Sequence, residues 1–506
     1  MIKELPVTLY TSSQTRLLDK TAIEQAGLPG FTLMMRAGRA VFSEIQRRWP
    51  DAKRLTVLCG RGNNGGDGFV VAALAKMKGY EVQARFIGDD TFHEQLEGEA
   101  REAWLWATGE GVMFQPFQAT EALVGEVVCD ALLGTGLSGE VRDEYLQAIH
   151  KINRLHRSVI AVDIPSGLCA DTGSVLGSAV KANVTITFIG LKQGLFMNQA
   201  PDYVGDVVFD GLRIPESVYE EVSVSAFRLS QDDVTTAFAP RAKASHKGMF
   251  GHVLVVGGDE GYGGAAIMAA EAALYSGAGK VSLATRACHV TAMLARAPEV
   301  MVHAVESGSA LTRLLEQADV IVFGPGLGKK AWADQMLQAI WSSHLPVVVD
   351  ADGLNILLLK DKLSQINRSH WVITPHPGEA ASLLDLSTAE IQRNRIEAVR
   401  ALQELIGGTA VLKGAGTLIT DGDVIHLCSA GNPGMATGGM GDILSGIIGA
   451  LIGQGLAPVD AARVGVYLHS AAADQCVLDT GERGLRATDL LLNIRSILNG
   501  KNRLHG

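Results

Sequence analysis

Several things are missing from these 506 residues, and each absence narrows the function. There is no lysine- or arginine-rich run: 44 basic residues face 54 acidic ones, a formal net charge of −10. Without a basic stripe a nucleic-acid partner is not expected. Any anionic ligand must be held by local amides and a few cations rather than by a global positive field. Cysteine is scarce and scattered (Cys59, Cys129, Cys169, Cys288, Cys428, Cys476), with no CxxC pair and no metal-ligand spacing. That usage fits reduced, buried thiols in a cytoplasmic protein. The start, MIKELPVTLYTSSQ, lacks a basic segment followed by an apolar one, so no signal peptide is expected. The longest uncharged apolar stretch, 443–456, is shorter than the roughly 18 residues that span a bilayer, and reads as a buried helix. No membrane partner is expected. Internal repeats are absent, and 47% hydrophobic against 19% charged residues argues against disorder.

What the chain has in excess is glycine, 58 residues, much of it clustered directly after short apolar runs. Those runs, at 55–59, 81–87, 126–132, 158–164 and 183–189, alternate with amphipathic stretches such as 69–78 and 143–154. The rhythm restarts at 252–258, 280–285, 319–324, 346–352, 370–376 and 409–414, followed by a hairpin pattern around Asp421-Gly422-Asp423. Helical patterns at 442–452, 458–478 and 488–498 close the chain. Strands without polar alternation are buried on both faces, which implies parallel sheets covered by helices. The expectation is α/β, with two doubly wound domains. A polar segment at 215–240 marks the boundary, placing the domains at 1–220 and 221–506.

The densest signal is SAGNPGMATGGMGDILSGII, 429–448. A glycine loop enters an apolar helix with Asp442 at the junction. Gly438, Gly439 and Gly441 leave backbone N–H groups unshielded. The first turn of a helix adds unpaired donors and partial positive charge, which suits a phosphate. A carboxylate beside it can accept a proton from a hydroxyl that attacks phosphorus. The same dipole favours ionised carboxylate, so a lowered pKa is expected for Asp442. A plain glycine-rich helix start is the ordinary alternative.

Three polar loops follow strands of the first half: Gly60–Gly68 (GRGNNGGDG), Asp130 with GTGLSG (134–139), and Asp163 with Pro165-Ser166-Gly167. In parallel sheets ligands bind at the carboxyl ends of strands, so these loops converge. Glycine loops admit a pyrophosphate to backbone amides. The spacing is not GxGxxG with a following acidic residue, so ordinary NAD redox binding is not indicated. Asn64, Asp130 and Ser166 offer oxygen ligands for a hard cation, and Asp163 is a candidate proton carrier. Asp130 and Asp163 would equally suit caps, and Asn63-Asn64 a turn.

In the second half GPGLG (324–328), DADGLN (350–355), TPHPGE (374–379) and KGAGT (413–417) also follow strands. Lys413 can neutralise phosphate charge, Thr417 can donate to an oxygen, and His376 is fixed between prolines.

GNNGGDG, DALLGTGLSG and VDIPSG resemble the epimerase domain for hydrated NAD(P)H, the YjeF N-terminal family, over about residues 10–215. That resemblance implies a Rossmann-like three-layer sandwich whose substrate site is lined by Asn63, Asn64, Gly65, Gly66, Asp67, Gly134, Thr135, Gly136, Leu137, Ser138, Gly139, Glu140 and Asp163. It further implies potassium near Asn64, Asp130 and Ser166. DADGLN, TPHPGE, KGAGT and GNPGMATGGMGD resemble the ribokinase-like, nucleotide-dependent dehydratase for hydrated NAD(P)H, over about 235–500. The implied nucleotide site is Lys413, Gly414, Ala415, Gly416, Thr417, Gly438, Gly439 and Gly441. The implied site for the hydrated cofactor is Ala265, Gly326, His376 and Asp442. Together the halves resemble the bifunctional NAD(P)H-hydrate repair family. This implies epimerisation with Asp163 and dehydration with Asp442, using Mg2+ and ADP or ATP, with ADP suggested by the bacterial-type fusion. A homo-oligomer is a secondary expectation. The rival reading is a ribokinase-like vitamin or sugar kinase with a non-catalytic N-terminal binding domain.

Overall fold

The computed structural model describes residues 5–358 and 368–501. The first four residues of the N-terminal segment discussed above lie outside the described residues. The chain divides into two compact units, the first ending at Phe227 and the second beginning at Arg228. The segment just past residue 220 stays with the first unit because Ala226–Phe227 pairs antiparallel with Thr8–Leu9.

The first unit is built on a seven-stranded parallel sheet. Its order is Phe114–Pro116, Glu81–Phe86, Arg54–Cys59, Val127–Ala131, Ser158–Val162, Val184–Phe188, Asp206–Asp210. The order reverses between Arg54–Cys59 and Val127–Ala131, where a crevice opens beyond the strand ends. The inner strands are the apolar runs of the sequence, and Val127–Ala131 is buried at every position. The two edge strands escape sequence reading because Phe114–Pro116 has only three residues and Asp206–Asp210 confines its apolar run to three residues between acids, none of them buried.

One element differs from expectation in an informative way. The glycine run after Cys59 is the start of helix Asn63–Met77 rather than a loop leading to Phe69. Its glycines let the helix lie close to its neighbours. A Cβ on Gly65 would overlap the Gly60 carbonyl, and one on Gly68 would come within 2.6 Å of Ala131 Cβ and 2.8 Å of Cys59 Sγ.

Among the described residues the second unit carries nine strands in the order Ile425–Cys428, Thr417–Thr420, Thr409–Leu412, Trp371–Ile373, Val347–Val349, Val320–Phe323, His252–Val256, Lys280–Thr285, Met301–Ala304. The first two are antiparallel and form the expected hairpin. The other seven are parallel. Strand order reverses between His252–Val256 and Val320–Phe323. Helices Gly263–Tyr275, Met440–Gly453 and Pro458–Thr480 build a continuous core with these strands.

Among the described residues no helix is long and apolar enough to cross a membrane. All six cysteines are free thiols.

Helix Met440–Gly453 is buried from Ile443 to Ile452 and meets Gly263–Tyr275 through Gly446. A Cβ there would overlap the Ala269 carbonyl and sit 2.9 Å from Ala272 Cβ. Replacing a helical glycine by alanine ordinarily stabilises by roughly 0.5–1 kcal/mol. Overpacking reverses the sign here: Gly446→Ala is expected to destabilise the second unit by about 1–3 kcal/mol. Denaturant unfolding of the full chain reads this, and an unchanged or higher midpoint would refute the close approach.

Candidate active sites

The strand ends of the first unit border a cavity of about 570 Å³. Asn63, Asn64, Asp67, Gly134, Thr135, Gly136, Leu137, Ser138 and Asp163 line it. Four expected residues do not. Gly65 faces the Gly60 carbonyl and Gly66 faces the Met34 thioether, so both serve helix packing. Gly139, at φ +83°, shapes a turn, and Glu140 is exposed beyond it.

Asp163 leaves the end of Ser158–Val162 with φ +66°, the left-handed region, where non-glycine residues are uncommon and mark functional positions. Its Oδ1 is anchored three ways, by Lys192 Nζ, Thr187 Oγ1 (3.1 Å) and the Phe188 N–H (3.3 Å). Lys192 is 1% exposed. Around the pair stand further acids. Burial pushes the Asp19 carboxyl up to about 6, with Lys192 partly opposing and Asp163 and Glu99 adding to the rise. Desolvation, then Asp163 and Asp19, hold Asp67 well above the usual carboxylate range.

Asp130 is fully buried at the adjacent strand end. It accepts from Ser166 N (2.8 Å), Ser166 Oγ (2.6 Å) and Leu132 N (3.3 Å). Those bonds do not offset its desolvation, which pushes it up to about 6. Asn64 packs near Gly134, and both polar atoms of its side-chain amide are buried without partners. An under-compensated buried carboxylate, an orphaned amide oxygen and a serine make an all-oxygen donor set that fits a hard monovalent cation.

The second site also lies at strand ends. Asp350, Thr374, His376 and Lys413 follow three adjacent parallel strands, and Gly326 lies in the loop at the point of order reversal. Gly326, at φ +58°, packs beside Tyr262 and Ala265. Lys413 donates to Asp350 Oδ1 (2.7 Å) and stands 3.8 Å from Glu379. Thr374 Oγ1 donates to the same Asp350 oxygen (2.8 Å). Burial alone would lower the Lys413 pKa, but Asp350, Glu379 and Asp442 outweigh it and the net shift is upward. Its charge is therefore already committed to carboxylates. The Thr417 hydroxyl is likewise spent on the Gly414 carbonyl (3.0 Å).

Gly439 caps helix Met440–Gly453 at φ +94° with no side chain on the first-turn N–H groups. Gly441 has no Cβ because Asp350 Oδ2 and Lys413 Nζ would lie 3.0 and 3.2 Å from one. Asp442 sits in the same turn, and here the sequence expectation fails. Its carboxyl is pushed up to about 7, first by desolvation and then by Asp350, with Asp352 and Glu379 adding and Lys413 opposing. Neighbouring charge and burial outweigh the helix dipole.

His376 caps its own helix, Nδ1 accepting from Gly378 N (3.0 Å) and Glu379 N (3.2 Å). The network places the proton on Nε2.

Sequence reading missed Lys192, Asp19, Glu379 and Arg395. Arg395, 1% exposed, donates to the Leu412, Lys413 and Gly416 carbonyls, each at 3.2 Å, and holds the KGAG loop from beneath. Ala415 lies in that loop. A cation within apolar sequence, as in IGLKQGLF, is the one available signal for Lys192.

Fold and sites define a two-domain α/β enzyme with a separate strand-end site in each domain. The family described as YjeF-related protein N-terminus matches residues 30–194, and the family described as NAD(P)H-hydrate dehydratase matches residues 253–496. A bifunctional NAD(P)H-hydrate repair enzyme of Coxiella burnetii is 47% identical over 97% of this chain and 99% of its own length. The Escherichia coli enzyme of the same description is 44% identical over 98% of this chain and 95% of its own. The crystal structure of a hypothetical protein from Streptococcus mutans matches with a TM-score of 0.51 and 29% identity, covering 54% of this chain and 99% of that one. The chain belongs to the family of bifunctional NAD(P)H-hydrate repair enzymes.

The raised pKa of Asp442 has a stability consequence. The folded state holds this proton more tightly than the unfolded chain, so stability present at low pH is lost as pH rises from about 4 through 7. Asp442→Asn is expected to stabilise the second unit by on the order of 2 kcal/mol near pH ~8, with the gain shrinking toward pH ~4. Denaturant midpoints at both pH values measure it; a mutant destabilised at the higher pH would contradict the electrostatic assignment.

Proposed function

We propose that the chain repairs NADH and NADPH that have added water at C6 of the nicotinamide ring. The first domain interconverts the two C6 epimers in its cavity, with Asp163 moving the proton. The second domain acts on the S epimer. Asp442 takes the proton of the C6 hydroxyl, whose oxygen attacks the terminal phosphoryl of a nucleotide while the bridging P–O bond breaks and its pair leaves on the nucleotide shortened by one phosphate. Gly438, Gly439 and Gly441 present backbone N–H groups to the transferred group. Phosphate then leaves with the C6–O bonding pair, a proton is lost from C5, and the double bond of NAD(P)H re-forms.

The observation that carries this reading is Asp442. A carboxyl brought to about 7 beside uncapped helix donors suits proton acceptance from an alcohol near neutrality. Gly326, Ala265 and His376, whose Nε2 lies 3.5 Å from Glu379 Oε1, would hold the hydrated ring. Lys413 to Thr417 would border the nucleotide, with Lys413 setting the charge of the carboxylate cluster. Magnesium would enter on the phosphates and shield them. In the first domain Asn64, Asp130 and Ser166 would hold potassium, which supplies fixed positive charge beside the substrate loops. ADP is the donor favoured by the family resemblance. Free thiols throughout suit the cytoplasm. Joining the two activities is chemically sound: a dehydratase for one epimer strands the other, and an epimerase alone repairs nothing.

The test follows reduced-nicotinamide absorbance after mixing the enzyme with both epimers, magnesium, potassium and either ADP or ATP. Full recovery is expected, with a rate rising through an apparent pKa near 7 set by Asp442. Asp442→Asn is expected to lose dehydration while epimerisation persists. Accumulation of a stable phosphorylated product would instead favour a small-molecule kinase, and loss of both activities in a folded mutant would refute two independent sites.

A further inference from the structure

The cavity of the first domain holds more proton chemistry than one aspartate accounts for. Lys192 looks at first like a general acid, but its three N–H donors are all engaged, by Asp163 Oδ1, Thr187 Oγ1 (3.1 Å) and the Phe188 carbonyl (2.9 Å). No proton is left to offer a substrate. The lysine fixes one oxygen of Asp163, while among the described residues no hydrogen bond engages Oδ2. Asp67, lining the same cavity, makes no hydrogen bond or ion pair among the described residues.

Resting on the epimerase reading above, we propose that Asp67 is the general acid that works opposite Asp163 in epimerisation, and that Lys192 is the positioning residue that keeps Asp163 the base. The step balances. Asp163 Oδ2 removes the proton of the C6 hydroxyl, and the O–H pair becomes the second bond of C6=O. The C6–N1 bond breaks, its pair passes to N1, and N1 takes the proton of Asp67. The product is an open-chain aldehyde with an N–H enamine. Rotation about C5–C6 presents the other face. Reversal returns the N–H proton to Asp67, re-forms N1–C6, and returns the Asp163 proton to the oxygen. No oxidant, reductant or second substrate is consumed.

The assignment agrees with the electrostatics. Burial with Asp163 and Asp19 nearby favours a protonated Asp67. Two carboxyl groups in unequal surroundings are how one site supplies an acid and a base together. The other charged and titratable groups lining the cavity are Arg16, Asp19, Arg61, Glu99, Tyr145, Asp163 and Lys192, of which Asp163, Asp19 and Lys192 act on Asp67.

The experiment uses the full chain with pure R epimer, with denaturant unfolding of the first unit as the folding control and dehydration of pure S epimer as the check on the second. Asp67→Asn is expected to lower epimerisation kcat by roughly 10²–10⁴-fold with little change in KM, and to remove the alkaline limb of the pH profile. Lys192→Met should lose a comparable factor and Lys192→Arg should recover part of it, with the alkaline limb retained in both. A wild-type enzyme that does not epimerise would refute the epimerase reading itself. A wild-type enzyme that does, beside an Asp67→Asn variant with unchanged kcat or with loss confined to KM, would refute only the role of Asp67. An Asp67→Asn variant whose first unit unfolds at a clearly lower denaturant midpoint would show a folding defect. Asp67→Glu then decides: a retained alkaline limb at a displaced pKa supports the acid, and an unmoved limb overturns it.

Discussion

In each domain one buried lysine is held by a single carboxylate among several acids taken out of water together. Lys192 is clamped to Asp163, and Lys413 to Asp350 with Glu379 close by. Taking a carboxylate out of water is costly unless a partner is supplied. A single cation can satisfy one acid at close range, so the others in the cluster stay under-compensated. The surplus appears as raised proton affinity at Asp67 and Asp19 in one domain and at Asp442 in the other. The desolvation that costs stability is the same property that brings an acid into the range where it exchanges protons near neutral pH.

The glycines serve this arrangement by removing bulk rather than by adding flexibility. Gly65 and Gly68 let helix Asn63–Met77 press against the Gly60 turn and neighbouring strand, which lowers Asn64 and Asp67 into the crevice. Gly441 does the same for its helix against Asp350 and Lys413, which brings Asp442 under their field. Side chains at these positions would hold each helix away from the sheet and return the acids to water.

Much of this was legible in the sequence. The alternation of apolar runs and glycine loops placed both sheets and nearly all inner strands, because a strand buried on both faces cannot hide its composition. The strand ends bearing Asp130, Asp163 and Asp350, and the helix starts bearing Asn64 and Asp442, followed from that placement. Two kinds of feature were not legible. Edge strands such as Phe114–Pro116 have no apolar signature. Long-range partners leave none either: Lys192 lies 29 residues from Asp163, and Lys413 lies 63 from Asp350. Asp442 shows the cost. Local reasoning sees a helix N-terminus and expects a lowered pKa, whereas the deciding neighbours come from other strand ends. The extent of Gly65, Gly66, Gly139 and Glu140 as ligand residues was likewise overdrawn, since a motif does not separate the glycines that face a ligand from those that face the sheet.

The two domains therefore apply one electrostatic device to two kinds of bond change. In the second domain the acid that ends without a close cation lies beside helix donors, so a proton it accepts leaves an oxygen nucleophile facing a site for phosphate. In the first domain Asp67 shares a cavity with the lysine-anchored Asp163, and the helix that carries it, Asn63–Met77, also begins without a side-chain cap. What differs is the place of the acid on its helix: Asp442 lies in the first turn of Met440–Gly453, beside the open N–H groups, whereas Asp67 lies in the second turn of Asn63–Met77, beyond them.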